Sequence, residues 1–161
     1  MSQLVNDDNS TGKGINDFND IMKGLIQKIR YRKFETIDQP LKGKGYVIRT
    51  NTIVKTQLEF EKLEFLDEVT VVNYGVILGN IVFGAGNFIN YGVVKGMIIS
   101  EKGKLNLKKG AEITGKIFIS ELILNVGGIL NTETTLGTKF TEYEKQAIKD
   151  GKFEDFENSV S

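Results

Sequence analysis

The 161-residue chain contains no cysteine, no histidine and no tryptophan, and a single proline. Without cysteine there can be no disulfide framework, thiolate zinc site, iron–sulfur cluster or thiol nucleophile. Without histidine there can be no Ser-His-Asp triad, imidazole metal ligand or histidine general base. The lack of tryptophan removes the commonest anchor of protein interfaces. Charge of one sign is not in excess either, since 21 Lys and Arg offset 21 Asp and Glu. The chain is therefore not a globally basic nucleic-acid binder. No apolar run is long enough for a membrane-spanning helix. The polar start, with Asp7 and Asp8, lacks the basic and apolar regions of a secretory signal, so a cytoplasmic location is expected.

What remains is 40% hydrophobic and 26% charged, enough for a packed core. Eighteen glycines stand against the single proline, and they crowd one part of the chain. Residues 1–14 carry no apolar pattern and read as a disordered tail. Residues 15–34 do carry one. Ile15, Phe18, Met22, Leu25, Ile26 and Ile29 recur at three- and four-residue steps, which makes an apolar stripe on a helix. Lys23, Lys28, Arg30, Arg32 and Lys33 supply its charge, with no acid between the first and last of them. Two readings of this segment stay open. It is an interfacial helix lying on an anionic membrane, or a cap whose stripe covers the first repeat. Gln39-Pro40 ends the helical segment, taken as 15–40.

From residue 44 to 137 the apolar residues alternate in short β-branched runs broken by Gly, Asn or Lys-Gly pairs. A repeat underlies them. Gly75-Val-Ile-Leu-Gly-Asn-Ile, Gly92-Val-Val-Lys-Gly-Met-Ile, Ala111-Glu-Ile-Thr-Gly-Lys-Ile and Gly128-Ile-Leu-Asn-Thr share the pattern small-x-apolar-x-small-x-apolar. Their starts lie 17, 19 and 17 residues apart. That period is too short for a helical-hairpin repeat, which needs about 33 residues, and suits one coil of a β-solenoid. Ile77, Val94, Ile113 and Leu130 should then stack in one inward column and Ile81, Ile98 and Ile117 in another, with Asn73 over Asn90 as a short ladder. The span fits five to six coils, a rod roughly 25 Å long at a strand spacing of about 4.8 Å. The competing architecture is a sandwich or barrel in which the glycines mark hairpins. Residues 141–161 follow, with a Thr141–Glu144 capping box and a short helix over 142–150. The six residues from Lys152 to Glu157 then read as a charged, acidic tail.

The phrase Gly-Lys-Leu-Asn-Leu-Lys-Lys-Gly-Ala-Glu-Ile-Thr-Gly-Lys-Ile (103–117), followed by Leu122-Ile-Leu-Asn-Val-Gly-Gly-Ile-Leu, resembles the bactofilins, a bacterial family of polymer-forming cytoskeletal proteins. The resemblance is good over residues 65–137 and poor over 44–64, where glycines are few. It implies an all-β, single-stranded, right-handed β-helix that polymerises end to end without nucleotide and scaffolds cell-shape or envelope proteins, often at the inner face of the membrane.

A solenoid has two open ends with unpaired backbone groups, and monomeric solenoids cover them with caps. The expected polymer contacts are Leu58, Phe60 and Leu63 at one end and Leu130, Leu136 and Phe140 at the other. Expected partners are a second copy of the chain and an anionic membrane, touched by Phe18, Met22, Lys23, Leu25, Ile26, Lys28, Ile29, Arg30, Arg32 and Lys33; nucleic acid is not expected. Catalytic residues, metal ligands and cofactors are not expected, and the scattered acids Glu59, Glu61, Glu64, Asp67 and Glu68 read as a solvated face. The alternative function is a capped, non-polymerising solenoid that binds a protein partner through its termini.

Overall fold

Alternation at period two lets each short run send every second side chain into a shared interior. A computed structural model of the chain describes residues 33–137 and 139–160. Ten parallel strands form one sheet wound into about six turns, a β-solenoid. The first turn is β1 (Glu35–Ile37) with β2 (Leu41–Ile48), the second β3 (Thr52–Val54) with β4 (Gln57–Phe65), the third β5 (Thr70–Asn73) with β6 (Val76–Phe83). β7 (Asn87–Asn90) opens the fourth turn. β8 (Val93–Leu107) closes it and, with residues 104–107, starts the fifth. β9 (Glu112–Leu124) bridges the fifth and sixth in the same way, and β10 (Ile129–Leu136) completes the sixth.

Side chains stack from turn to turn in columns. Leu41, Leu58, Ile77, Val94, Ile113 and Leu130 share one register position. A second inward column runs through Leu63, Ile81, Ile98 and Ile117. Both columns follow the sequence repeat. They continue below residue 72, where glycines are few, because alternation sets the register there: Leu58, Phe60, Leu63 and Phe65 are all buried along β4. The parity changes between Phe60 and Lys62, where a bulge accommodates Glu61.

The solenoid begins earlier than the expected residue 44. Residues 35–37 are strand rather than the end of a helical segment, since Glu35-Thr36-Ile37 finds a ladder partner in Thr52–Val54. Pro40 stands at the corner before β2, where its missing N–H costs no ladder bond. The expected helix over 15–34 falls almost wholly outside the described residues.

Within the long strands, Gly79, Gly96 and Gly115 have φ of +126°, +147° and +137°. They stack in register, and each would place a Cβ on the turn before it. The added atom at Gly96 would lie 1.9 Å from the Gly79 carbonyl oxygen, and that at Gly115 2.0 Å from the Gly96 carbonyl oxygen. Only glycine suits both the conformation and the close approach. In the second turn Phe60 holds this position, and its ring stacks on Tyr46 at 5.2 Å.

The C-terminal segment overturns an expectation. α1 (Glu142–Lys149) starts at the foreseen capping box: the Glu144 N–H donates to Thr141 Oγ1 at 3.1 Å, and the Thr141 N–H donates to Glu144 Oε1 at 2.7 Å. Residues beyond it are no mobile tail but a second helix, α2 (Phe153–Val160). Its acids dominate the composition, but Phe153, Phe156 and Val160 fall on one face at helical spacing. Phe153 and Phe156 are buried with Phe140, Ala147 and Ile148 against Met97, Ile99 and Phe118. The last three alternate with the inward Ile98 and Ile117, so they project from the outside of the solenoid. Phe156 meets Phe118 and Phe140 edge-on, both at 5.1 Å.

Candidate functional site

Among the described residues strand edges lie unpaired at both ends of the solenoid, along β1 and β2 of the first turn and along the sixth turn. β10 pairs with β9 along Ile129–Leu136, and residues 121–124 of β9 pair with 104–107 of β8. Among the described residues no strand pairs with their other edges. The N–H and C=O groups directed that way are open to another strand. Apolar side chains gather at the sixth turn. Among the described residues, five of the ten exposed large hydrophobics, Ile123, Leu124, Val126, Ile129 and Leu136, belong to this one turn.

The chain departs from this end sideways. Gly137 (φ +70°) donates its N–H to the Ile119 carbonyl at 2.9 Å. α1 and α2 then settle against Met97, Ile99 and Phe118 of turns four and five. The corner between Ser100 and Lys104 widens, which shows as a shift of register against β9. On that corner the Glu101 carboxylate accepts the Phe140 N–H and pairs with Lys145 at 3.7 Å. Lys62 Nζ donates to the Lys149 carbonyl at 3.1 Å. The helical hairpin is thus fastened to the side of the solenoid and does not cap its C-terminal end.

These placements correct several expected contacts. Leu58, Phe60 and Leu63 lie in β4, between β2 and β6, and are buried. They are core of the second turn because the solenoid starts one turn earlier than its glycines indicate. Phe140 is also buried, in the core beneath the hairpin. Leu130 and Leu136 do lie in the terminal turn, with Leu130 packed on the main core and Leu136 exposed. Leu124, Val126 and Ile129 were missed. Their signal was the apolar Leu122-Ile123-Leu124 and Ile129-Leu130 runs with no further repeat after them. Of the proposed membrane or cap residues, Phe18, Met22, Lys23, Leu25, Ile26, Lys28, Ile29, Arg30 and Arg32 lie outside the described residues, and Lys33 is exposed. No helix among the described residues is long and apolar enough to cross a membrane.

Polar groups knit the turns along the axis. Asn73 Nδ2 donates to Asn90 Oδ1 at 2.9 Å in a buried ladder, and each asparagine Oδ1 accepts an N–H two residues on, from Gly75 and Gly92. Three ion pairs join a lysine of one turn to a glutamate of the next: Lys42–Glu59 at 3.5 Å, Lys104–Glu121 at 3.4 Å and Lys116–Glu133 at 3.6 Å. Lys116 also meets Glu157 of α2. The hydrogen bond from Glu157 raises the Lys116 pKa, Glu133 adds to the effect, and desolvation opposes it. Solvent screens such exposed pairs, so they contribute little to stability. Glu59 and Glu64 belong to pairs of this surface kind. Among the described residues no group of three or more acids is arranged to hold a metal ion.

Compared with known proteins, the chain matches no family model, no curated protein and no solved structure.

Proposed function

We propose that the chain is a structural scaffold that polymerises through the open end of its β-solenoid, without nucleotide and without catalytic activity of its own. The β-solenoid is compatible with such a role. One observation carries the reading: the sixth turn ends in unpaired strand edges bordered by exposed Leu124, Ile129 and Leu136, while the segment that could have covered it turns away to the side. A second solenoid seated there continues the ladder, and each new backbone hydrogen bond contributes roughly 0.5–1.5 kcal/mol. Burial of a large apolar side chain adds about 1.5–3 kcal/mol. The resemblance of residues 103–117 to the bactofilins supports the same reading. The basic stripe of residues 15–34 supports attachment of the polymer to an anionic membrane, which makes an inner membrane face of the cytoplasm its setting.

The test is a full-length double variant, Ile129→Arg with Leu136→Arg. Both side chains are exposed, so the fold should persist by far-UV circular dichroism. Light scattering should show the parent as high-mass species and the variant as monomers. A folded variant that assembles like the parent would remove the terminal turn from the interface.

A further inference from the structure

The outer surface on which the hairpin rests has an unusual make-up. One outward column along the axis runs Val47, Glu64, Val82, Ile99, Phe118 and Thr135. Its middle three residues are apolar, and Met97 stands beside them. The flanks are charged, with Lys62 and Glu64 in turn two and Lys116 and Glu133 in turns five and six. That column is thus apolar from turn three to turn five and ends in Val47 and Thr135, while the column beside it carries Lys62, Met97, Lys116 and Glu133. The hairpin buries Met97, Ile99 and Phe118 under Phe140, Ala147, Ile148, Phe153 and Phe156. Much of its remaining hold is polar and lies at the rim, through Glu101–Lys145, Lys116–Glu157 and Lys62 to the Lys149 carbonyl.

We propose that this hairpin is a lateral guard: it occupies a strip of the solenoid side that otherwise pairs with the same strip of a second copy. Three features commit the strip to a copy of itself. The column repeats at the strand spacing of about 4.8 Å, so two such faces can interdigitate side chain by side chain at a sheet separation of about 10 Å. A two-fold axis passing near Met97 brings the apolar centres together, as isologous contacts require. The same rotation sets Lys62 of one copy opposite Glu133 of its partner, so the charged flanks are complementary. With the hairpin in place, this side cannot take a second solenoid and growth is left to the end.

The test reads lateral pairing as a doubling of mass, per unit length where the ends stack into rods and per particle where they do not. In the full-length chain, Phe140→Asp with Phe153→Asp and Phe156→Asp should release the hairpin, seen as new tryptic cleavage after Lys145, Lys149 and Lys152. Small-angle scattering should then show that mass rising about twofold, as for a two-fold pair. Adding Phe118→Lys to that variant should return it to the parent value. Release without that doubling would overturn the proposal, and so would growth that Phe118→Lys fails to reverse. Loss of the β signal on release would also overturn it, because the hairpin would then be part of the fold itself. Retained protection against trypsin would overturn it as well, since the hairpin would then be no removable guard.

Discussion

A methyl group added at Gly96 should be among the most damaging single-atom changes in the molecule. The perturbation has two separable parts. Alanine at φ +147° is conformationally disfavoured, by about 1–2 kcal/mol. The new Cβ would also stand 1.9 Å from the Gly79 carbonyl oxygen, far inside contact distance. That oxygen belongs to a neighbouring turn held in register on both sides, so relief requires the turns to part locally. Overpacking of this kind costs about 1–3 kcal/mol, and a ladder bond lost with it about 1 kcal/mol more. The expected total is about 3–6 kcal/mol, a large share of the 5–15 kcal/mol typical of a domain. Gly110 is the control: its φ is +83°, but nothing lies within 4 Å of a Cβ built there. Gly110→Ala should cost only the conformational part, about 1 kcal/mol. Urea unfolding followed by circular dichroism compares the two. If Gly96→Ala costs no more than Gly110→Ala, the close stacking of turns at this column is wrong.

Three further outcomes follow from the same geometry. Asn90→Ala removes acceptors used by Asn73 and the Gly92 N–H in a buried site, so urea unfolding should record a loss of about 1–3 kcal/mol. Lys116, whose pKa is raised in the folded state chiefly by Glu157, contributes its stabilisation fully below the ordinary lysine value of 10.5 and loses it as pH climbs through the raised one. Thermal release of α2 should therefore become easier on that alkaline side, and Lys116→Met should lessen the pH dependence. Deleting residues 15–34 should abolish co-sedimentation with anionic liposomes while leaving assembly in solution intact; unchanged sedimentation would end the membrane part of the account.

The solenoid was legible because its repeat is written in residue types with steric meaning. Glycines at 79, 96 and 115 mark where consecutive turns nearly touch, and the aliphatic residues two positions before and after them mark the inward columns. The asparagine ladder was legible for the same reason, as Asn73 and Asn90 recur at one repeat length. The first two turns were harder to see. There alternation alone carries the register, and Phe60 stands where later turns have glycine. The glycine pattern therefore puts the start of the solenoid too late and makes core residues Leu58 and Leu63 look like an end. The C-terminal hairpin was hidden by charge. Phe153 and Phe156 sit among acids, and the surface they cover is made of outward residues whose burial depends on the hairpin being there. The helical spacing of Phe153, Phe156 and Val160 spans only two turns and is masked by the acids around it. The terminal site was half legible: Leu130 and Leu136 were placed in the last turn, whereas Ile129, Leu124 and Val126 became conspicuous only once the hairpin was seen to pass them by.

The most direct test of the central claim is electron microscopy of the purified full-length chain in negative stain, at near-physiological salt and without nucleotide, beside the Ile129→Arg, Leu136→Arg variant. The account predicts thin filaments from the parent, with an axial repeat near 4.8 Å in diffraction, and discrete particles from the variant. Discrete particles from the parent would contradict it and leave a non-polymerising solenoid that binds other proteins through its termini.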